Sequence, residues 1–415
     1  MADSGRLTPS SRVAFTHPNF VLLQLARFTV VIGTEMQSVA VGWQIYEITR
    51  IKLDLGLVGL AQFLPGLLLF LVSGHAADRF DRRRLLIACH LGFAICFALL
   101  LWQAIHGVRS VVPIYAVLVL IGVVRSFSGP VTRAILPQVV PDEHFPNAVA
   151  WAASVFQSAT ILGPALGGVV YTVGRGPAAV YATAMASSLA AVLFTMRIQL
   201  ESKPRPREEI NLQTVLAGVR YIWRQKLVLG SMSLDLFAVL LGGAVALLPV
   251  YAQDILKTGP WGLGLLRCAP GVGATLMAAL LAHRPLKRGM GAILLWTVGA
   301  YGVFTILFGV SRSLVLSMLA LVLVGASDMV SVIIRATFLQ LGTPDEMRGR
   351  VNAVDMIFIG SSNQLGQFES GVTAQWWGTV PAVIVGGVGA IAVAGFWGRL
   401  FPELRKAQDV RDLRT

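Results

Sequence analysis

Ten ionisable side chains sit inside stretches of this chain that are otherwise apolar: Arg27, Glu35, Arg125, Arg133, Asp235, Arg267, Asp328, Arg335, Asp355 and Glu369. Desolvating a charge is costly, so such residues face one another, water or a charged cargo. Two chemistries suit them. A carboxyl can take up and release a proton as its neighbours change, and a guanidinium can hold an anion. Glu35, Asp235 and Asp328 lie deep enough for proton handling, with Glu35 and Asp328 as the preferred carriers and Arg125 as their counter-charge. The competing reading is a set of static ion pairs that only fix packing. Arg133, Arg335 and Asp355 lie nearer one end of their segments, where gate ion pairs or snorkelling are the alternatives, and Arg267 and Glu369 lie toward the other end. Asp328 and Arg335 are seven residues apart and share a helix face, about 10 Å apart along the axis. Asn352, Asp355, Ser362, Gly366 and Glu369 make a second polar stripe.

The elements that must carry these groups are membrane helices. Hydrophobic residues make up 55% of the 415 and charged residues 13%, with a mean hydropathy of +0.70, whereas soluble domains carry roughly a quarter charged residues. Apolar runs bounded by Gly, Pro or charge predict twelve spans, at 18–47, 54–77, 85–106, 111–136, 142–171, 177–197, 227–255, 260–283, 289–310, 313–341, 344–374 and 378–398. The ionisable residues fall in spans 1, 4, 7, 8, 10 and 11. Spans 3, 6, 9 and 12 have none in their interiors, as expected of helices that face lipid.

The chain also repeats itself at a shift of 205 residues: Gly59, Pro65, Gly66, Arg79, Arg82, Arg83 and Asn147 recur as Gly264, Pro270, Gly271, Arg284, Lys287, Arg288 and Asn352. The fold class that follows is an all-α membrane protein of two pseudo-symmetric six-helix bundles, 1–198 and 227–415, joined by a linker over 199–226. Such a duplication points to a transporter that rocks one half against the other. The linker holds the stiff basic run Lys203-Pro204-Arg205-Pro206-Arg207, and Asn211 to Trp223 reads as a short interfacial amphipathic helix.

Outside the spans, one face carries only Arg50, Lys52, Arg109, Arg175, Lys257 and Arg312 of the 34 Lys and Arg residues. The crowded face, which holds both termini, is therefore expected to be cytoplasmic in a bacterial inner membrane. The net charge of +13 follows from this asymmetry and implies contact with anionic lipids, not nucleic acid. Residues 1–17 are polar and lead into a long span, so no cleavable signal is expected. Cys89, Cys96 and Cys268 show no metal or redox spacing and read as packing residues, with no disulfide expected. Thr343-Pro344-Asp345-Glu346 reads as a capping box with proline at the first position of span 11.

Three motifs carry a family resemblance. Gly74-His75-Ala76-Ala77-Asp78-Arg79-Phe80-Asp81-Arg82-Arg83-Arg84 resembles the signature loop of the major facilitator superfamily, with Asp81 replacing the usual second glycine. Arg125-Ser126-Phe127-Ser128-Gly129 is similar to its Arg-x-x-x-Gly element, and Gly163-Pro164-Ala165-Leu166-Gly167-Gly168 is similar to a motif of its proton-driven exporters. His17-Pro18-Asn19-Phe20 and Met36 to Tyr46 resemble the drug-antiporter branch that includes enterobactin exporters and macrolide efflux proteins.

The resemblance implies a cytoplasmic gate at Gly74, Asp78, Arg79, Arg82 and Arg83, in which Asp78 bonds the exposed N–H groups at the start of span 11; Asp355 is assigned to the same gate. It implies also that Gly163, Pro164, Gly167 and Gly168 bring span 5 close to a neighbour and limit leak.

The expected activity is proton-coupled export of small amphiphilic molecules by a monomer, through a cavity between the halves. Arg27, Phe28, Met36, Gln37, Phe127, Phe237 and Met329 are its expected lining. Anionic catecholate siderophores would use Arg27 or Arg125, and cationic drugs Glu35 and Asp235. Both kinds of residue are present. Uptake of a metabolite on the same fold is the alternative. No cofactor or metal is expected: the six histidines sit singly, and no nucleophile elbow or phosphate loop occurs.

Overall fold

The computed structural model describes residues 12–108, 110–200, 212–286 and 288–406, apart from the side chains of Leu71, Ala77, Asp78, 212–215 and Asp345. The basic run at 203–207 lies outside them. The described residues form α1 (Pro18–Thr49), α2 (Lys52–Leu68), α3 (Phe70–Arg79), α4 (Arg82–His106), α5 (Val112–Ile135), α6 (Phe145–Val173), α7 (Pro177–Met196), α8 (Leu212–Arg224) and α9 (Lys226–Gly242). A short α10 (Leu248–Val250) follows and runs into a π-turn over Tyr251–Ile255. The rest is α11 (Gly259–His283), α12 (Met290–Val310), α13 (Leu314–Leu341), α14 (Asp345–Trp377), α15 (Thr379–Leu400) and α16 (Pro402–Lys406).

The twelve expected spans are all present. Nine described helical stretches are long and apolar enough to cross a membrane by composition alone. The other three are α1 and α14, which carry many of the polar groups named above, and the second span. That span is not one helix: it breaks at Leu69, whose φ of −96° and ψ of 4° leave the helix four residues after Pro65. The capping box at span 11 does not form either. Pro344 takes the N-cap position and no side chain caps the helix, because the helix starts at Asp345 and Thr343 stands one residue too early.

Packing repeats with the sequence. In the first half α1 lies on α6 and α7, α4 on α5 and α7, and α2 on α5. In the second half α9 lies on α14 and α15, α12 on α13 and α15, and α11 on α13. Two seams join the halves, α2 against α14 and α6 against α11. Each seam is the repeat image of the other. Lipid tails are as apolar as leucine, so close packing of small residues has to hold such seams. A Cβ at Gly264 would lie 2.5 Å from the Pro164 carbonyl oxygen, and one at Gly168 would lie 2.6 Å from that of Pro260. In the other seam, a Cβ at Gly371 would lie 3.0 Å from the Gly56 Cα.

The apolar cores show which face is joined. One large core unites Trp43, Ile45 and Tyr46 of α1 with Leu247, Leu248, Tyr251, Leu263 and Leu266 of the second half, at the face opposite the described ends. At the face that carries those ends the halves have separate cores, one around Phe20, Leu86 and Ile135 and one around Leu234, Ile334 and Phe338. The molecule is thus closed at its distal face and divided at its terminal face. Spans 3, 6, 9 and 12 turn apolar stripes outward, such as Leu91, Ile95, Leu99, Trp102 and Ile105 along α4, the surface that lipid covers. Cys89, Cys96 and Cys268 are buried. Helix α8 lies against α14, where a Cβ on Gly218 would meet the Arg350 carbonyl at 2.7 Å, while Leu216 and Trp223 stay exposed.

Candidate functional site

Glu35 lies midway along α1, and Gly163 of α6 brings the backbones together there, since a Cβ at Gly163 would be 2.5 Å from the Glu35 Cβ. Arg125 of α5 and Arg267 of α11 both act on Glu35 electrostatically, and Arg267 Nη1 donates to Ser38 Oγ. One acid of the first half therefore stands between an arginine of its own half and an arginine of the other. A cavity of about 240 Å³ lies beside this group, bordered by Gln62, Thr160, Gln364 and Gln367.

Toward the terminal face Arg125 and Glu35 also line a larger cavity, about 370 Å³, with Arg27, Arg133, His90, Thr34, Leu23, Val30, Phe93 and Phe156. A third space of about 260 Å³ runs from Arg125 and Arg133 along Phe63, Leu67 and Phe70 to Met356 and Ile357. Taken together these walls hold four arginines and one acid. Among the described residues Arg27 is held without a carboxylate: Nη1 donates to the Ala152 carbonyl at 3.2 Å, and the guanidinium stacks 4.9 Å from the Phe156 ring centre. Arg133 Nη1 reaches Met356 Sδ of the other half at 3.1 Å. The arrangement is an amphipathic chamber with an excess of positive charge.

The acids expected to join Glu35 do not. Asp235 of α9 pairs with Arg335 of α13 at 3.0 Å, and Asp355 of α14 lies 3.9 Å from the same guanidinium. Asp328 shares that field, two turns before Arg335 on the same face of α13. This cluster belongs wholly to the second half, and a void of about 10 Å³ beside it is lined by Asp235, Tyr301, Asp328 and Ser331.

Of the expected cavity lining, only Arg27 lines these spaces. Met36 is buried where α1 crosses Gly167, whose Cβ would lie 2.8 Å from the Met36 Cα, and Gln37 is fully buried on the next position. Phe237 points away to Trp397 of α15, 5.2 Å between ring centres, and Phe28, Phe127 and Met329 border none of these three cavities. A helix turns about 100° per residue, so a neighbour of a lining residue faces elsewhere.

Gate residues of the first half are spread over its own helix ends. Arg82 Nη1 donates to the Ala134 carbonyl at 3.4 Å, Arg83 Nη2 donates to the Met196 carbonyl, Arg79 is exposed, and Gly74 stands in open space. The side chain of Asp78 is outside the described residues. The glycine motif serves both neighbours of α6: Gly163 and Gly167 meet α1, and Gly168 meets α11 of the other half.

A distal latch went unread in the sequence. Arg50 Nη1 donates to Asp254 Oδ1 and Gln253 Oε1, both at 3.1 Å, and the Tyr46 hydroxyl donates to the Asp254 carboxylate. Lys52 Nζ donates to the Ala374 carbonyl at 3.3 Å. The only signal for it was the pairing of rare distal-loop cations with a distal acid.

Comparisons with known proteins show the family and the fold. The chain is 29% identical over 347 residues to the enterobactin exporter EntS of Escherichia coli O1:K1, covering 82% of this chain and 81% of that protein. With EntS of Citrobacter koseri the identity is 28% over 399 residues, 94% of each. Among solved structures it resembles a mutant of the nucleoside transporter NupG, with a TM-score of 0.73 at 12% identity over 92% of this chain and all (100%) of that one. It also resembles a bacterial homologue of the human lysosomal transporter Spinster, inward-facing and occupied, with a TM-score of 0.72 at 13% identity over 93% and 97%. Those two likenesses show the fold alone. A profile described as transmembrane secretion effector matches residues 9–412, so this chain, with its paired six-helix halves and polar chamber, belongs to the transmembrane secretion effector family of major facilitator transporters.

Proposed function

We propose that this transporter exports small amphiphiles with an anionic head, against an inward flow of protons, across a bacterial inner membrane with both termini cytoplasmic. The observation that carries the reading is the charge of the chamber: Arg27, Arg125, Arg133 and Arg267 against Glu35 alone. Apolar walls at Leu23, Val30, Phe93 and Phe156 suit the body of such a cargo, and the arginines suit its acid. The similarity to proteins named enterobactin exporters supports export and a siderophore-like cargo. The basic terminal face supports the orientation and a contact with anionic lipids.

An anion and a proton attract, so one shared site would carry both in the same direction. Exchange needs the proton on a group that the cargo does not touch. The Asp235–Arg335–Asp355 cluster with Asp328 meets that condition, being confined to the second half. Glu35 then serves as the charge that ties Arg125 to Arg267 across the halves.

Two measurements test this. In inverted vesicles an anionic aromatic amphiphile is expected to be taken up and a cationic dye not. The double variant Arg27→Ala/Arg133→Ala is expected to lose roughly tenfold or more of that uptake while keeping its elution profile in detergent, on the scale of about 1.5 kcal/mol or more for each lost charge-assisted bond. Preferential uptake of the cationic dye would refute the cargo class. Separately, Asp328→Asn is expected to abolish proton movement driven by cargo, and Glu35→Gln to slow turnover with the proton-to-cargo ratio retained. Undiminished proton movement in Asp328→Asn would remove the coupling assignment.

A further inference from the structure

The cavity of about 240 Å³ beside Glu35 differs from the terminal chamber in what walls it. Its accessible wall is mostly polar, with Gln62 from α2 on one side and Gln364 and Gln367 from α14 of the other half facing it. The chamber of about 370 Å³ is mostly apolar, through residues such as Leu23, Val30, Phe93 and Phe156. Both spaces share Glu35 and Arg125, so one extended molecule can reach from the apolar wall to the amide-lined one.

The three glutamines are half-buried, and among the described residues none of their side-chain amides makes a hydrogen bond. Gly59, itself in the cavity wall, sets the place of two of them. A Cβ there would lie 2.8 Å from Gln364 Oε1 and 3.0 Å from Gln367 Oε1, so the bare backbone lets both amides reach over α2. The arginines also keep donors to spare. Arg125 makes no hydrogen bond to a described residue, and Arg267 gives Nη1 to Ser38 while its buried Nε has no partner. Polar groups held at membrane depth without a protein partner are costly, so they point to something that pairs with them.

We propose that this cavity is the subsite for the cargo's polar head and selects an anion with an amide group next to its acid, an inference that rests on the reading of an exporter of anionic amphiphiles. The acid lies at Arg125 and Arg267, and the apolar body extends into the terminal chamber. The amide exchanges hydrogen bonds with the glutamines, because its N–H and C=O match the C=O and NH₂ of their side chains. An amide-free anion offers the acid and the body but leaves the glutamines without partners. A site built to pair a polar group rejects the analogue that lacks it.

The test compares two anions in inverted vesicles carrying the full chain: N-benzoylglycine and phenylbutanoate, which have the same ring, acid and chain length and differ by the amide. The wild type is expected to take up N-benzoylglycine about tenfold faster at equal low concentration, the scale of one or two net hydrogen bonds. In Gln364→Leu/Gln367→Leu that preference is expected to fall to nearly none. Should this variant fail to accumulate, Gln62→Leu on the opposite wall is expected to lower the preference about threefold, as for one lost bond. Equal uptake of the two anions by the wild type, or the wild-type preference kept in the variants, would overturn the subsite. Either result leaves the exporter reading standing so long as anions enter and the cationic dye does not. Uptake of neither anion would remove that reading and the subsite with it.

Discussion

Arg335→Met is expected to prevent the chain from accumulating as a folded protein. The guanidinium is 7% exposed and bonds Asp235, itself 9% exposed, at 3.0 Å, with Asp355 at 3.9 Å and Asp328 in reach. Methionine fills a similar volume and leaves three acids inside the second bundle with no positive charge. Removing one partner of a buried pair costs about 3–5 kcal/mol, a large share of the roughly 5–15 kcal/mol that holds a protein folded. The loss should be read as the yield of monodisperse protein in detergent and as its melting temperature. Two rescues follow from the same account. Asp235→Asn in the Arg335→Met background should restore part of the yield, and so should solubilisation at acidic pH, which neutralises the stranded carboxyls. A single variant as stable as the wild type would show that the cluster does not bear on folding.

Gly264→Leu should give the second largest effect, on transport and not on folding. Its Cβ would fall 2.5 Å from the Pro164 carbonyl oxygen and 3.1 Å from the Gly168 Cα, both backbone atoms that cannot rotate away. Each half has its own core away from this seam, so each can still fold while the distal face is wedged apart. Transport is expected to fall below a tenth of wild type, about 1.4 kcal/mol or more in the closing equilibrium. Spin labels placed across the distal face should report a longer distance. An unchanged distance together with normal transport would mean that the seam yields.

The twelve spans were legible because apolar run length is a strong and local signal. All twelve appear, with ends within a few residues at most boundaries; the second is split at Leu69. The grouping of ionisable residues on inner helices was legible for the same reason. Helix phase was not. Arg27 lines the chamber while Phe28 does not, and Glu35 lines it while Met36 packs on Gly167, because a register of one residue turns a side chain through about 100°. Nor could the sequence tell that Asp235 and Asp328 share Arg335 with Asp355 and stay apart from Glu35: all are acids on inner helices, and only the packing of α9, α13 and α14 separates them. The latch of Arg50 on Asp254 joins positions 204 residues apart, beyond any local pattern.

That latch is half in water, with the two side chains 57% and 44% exposed. A solvated pair of this kind contributes about 0–1 kcal/mol and weakens further as dissolved ions crowd around it. The neighbouring glycine-lined seams close chiefly on contacts between backbone atoms, at Gly168, Gly264 and Gly371, which dissolved ions do not screen. Closure of the distal face should therefore be nearly indifferent to the salinity of whatever water bathes it.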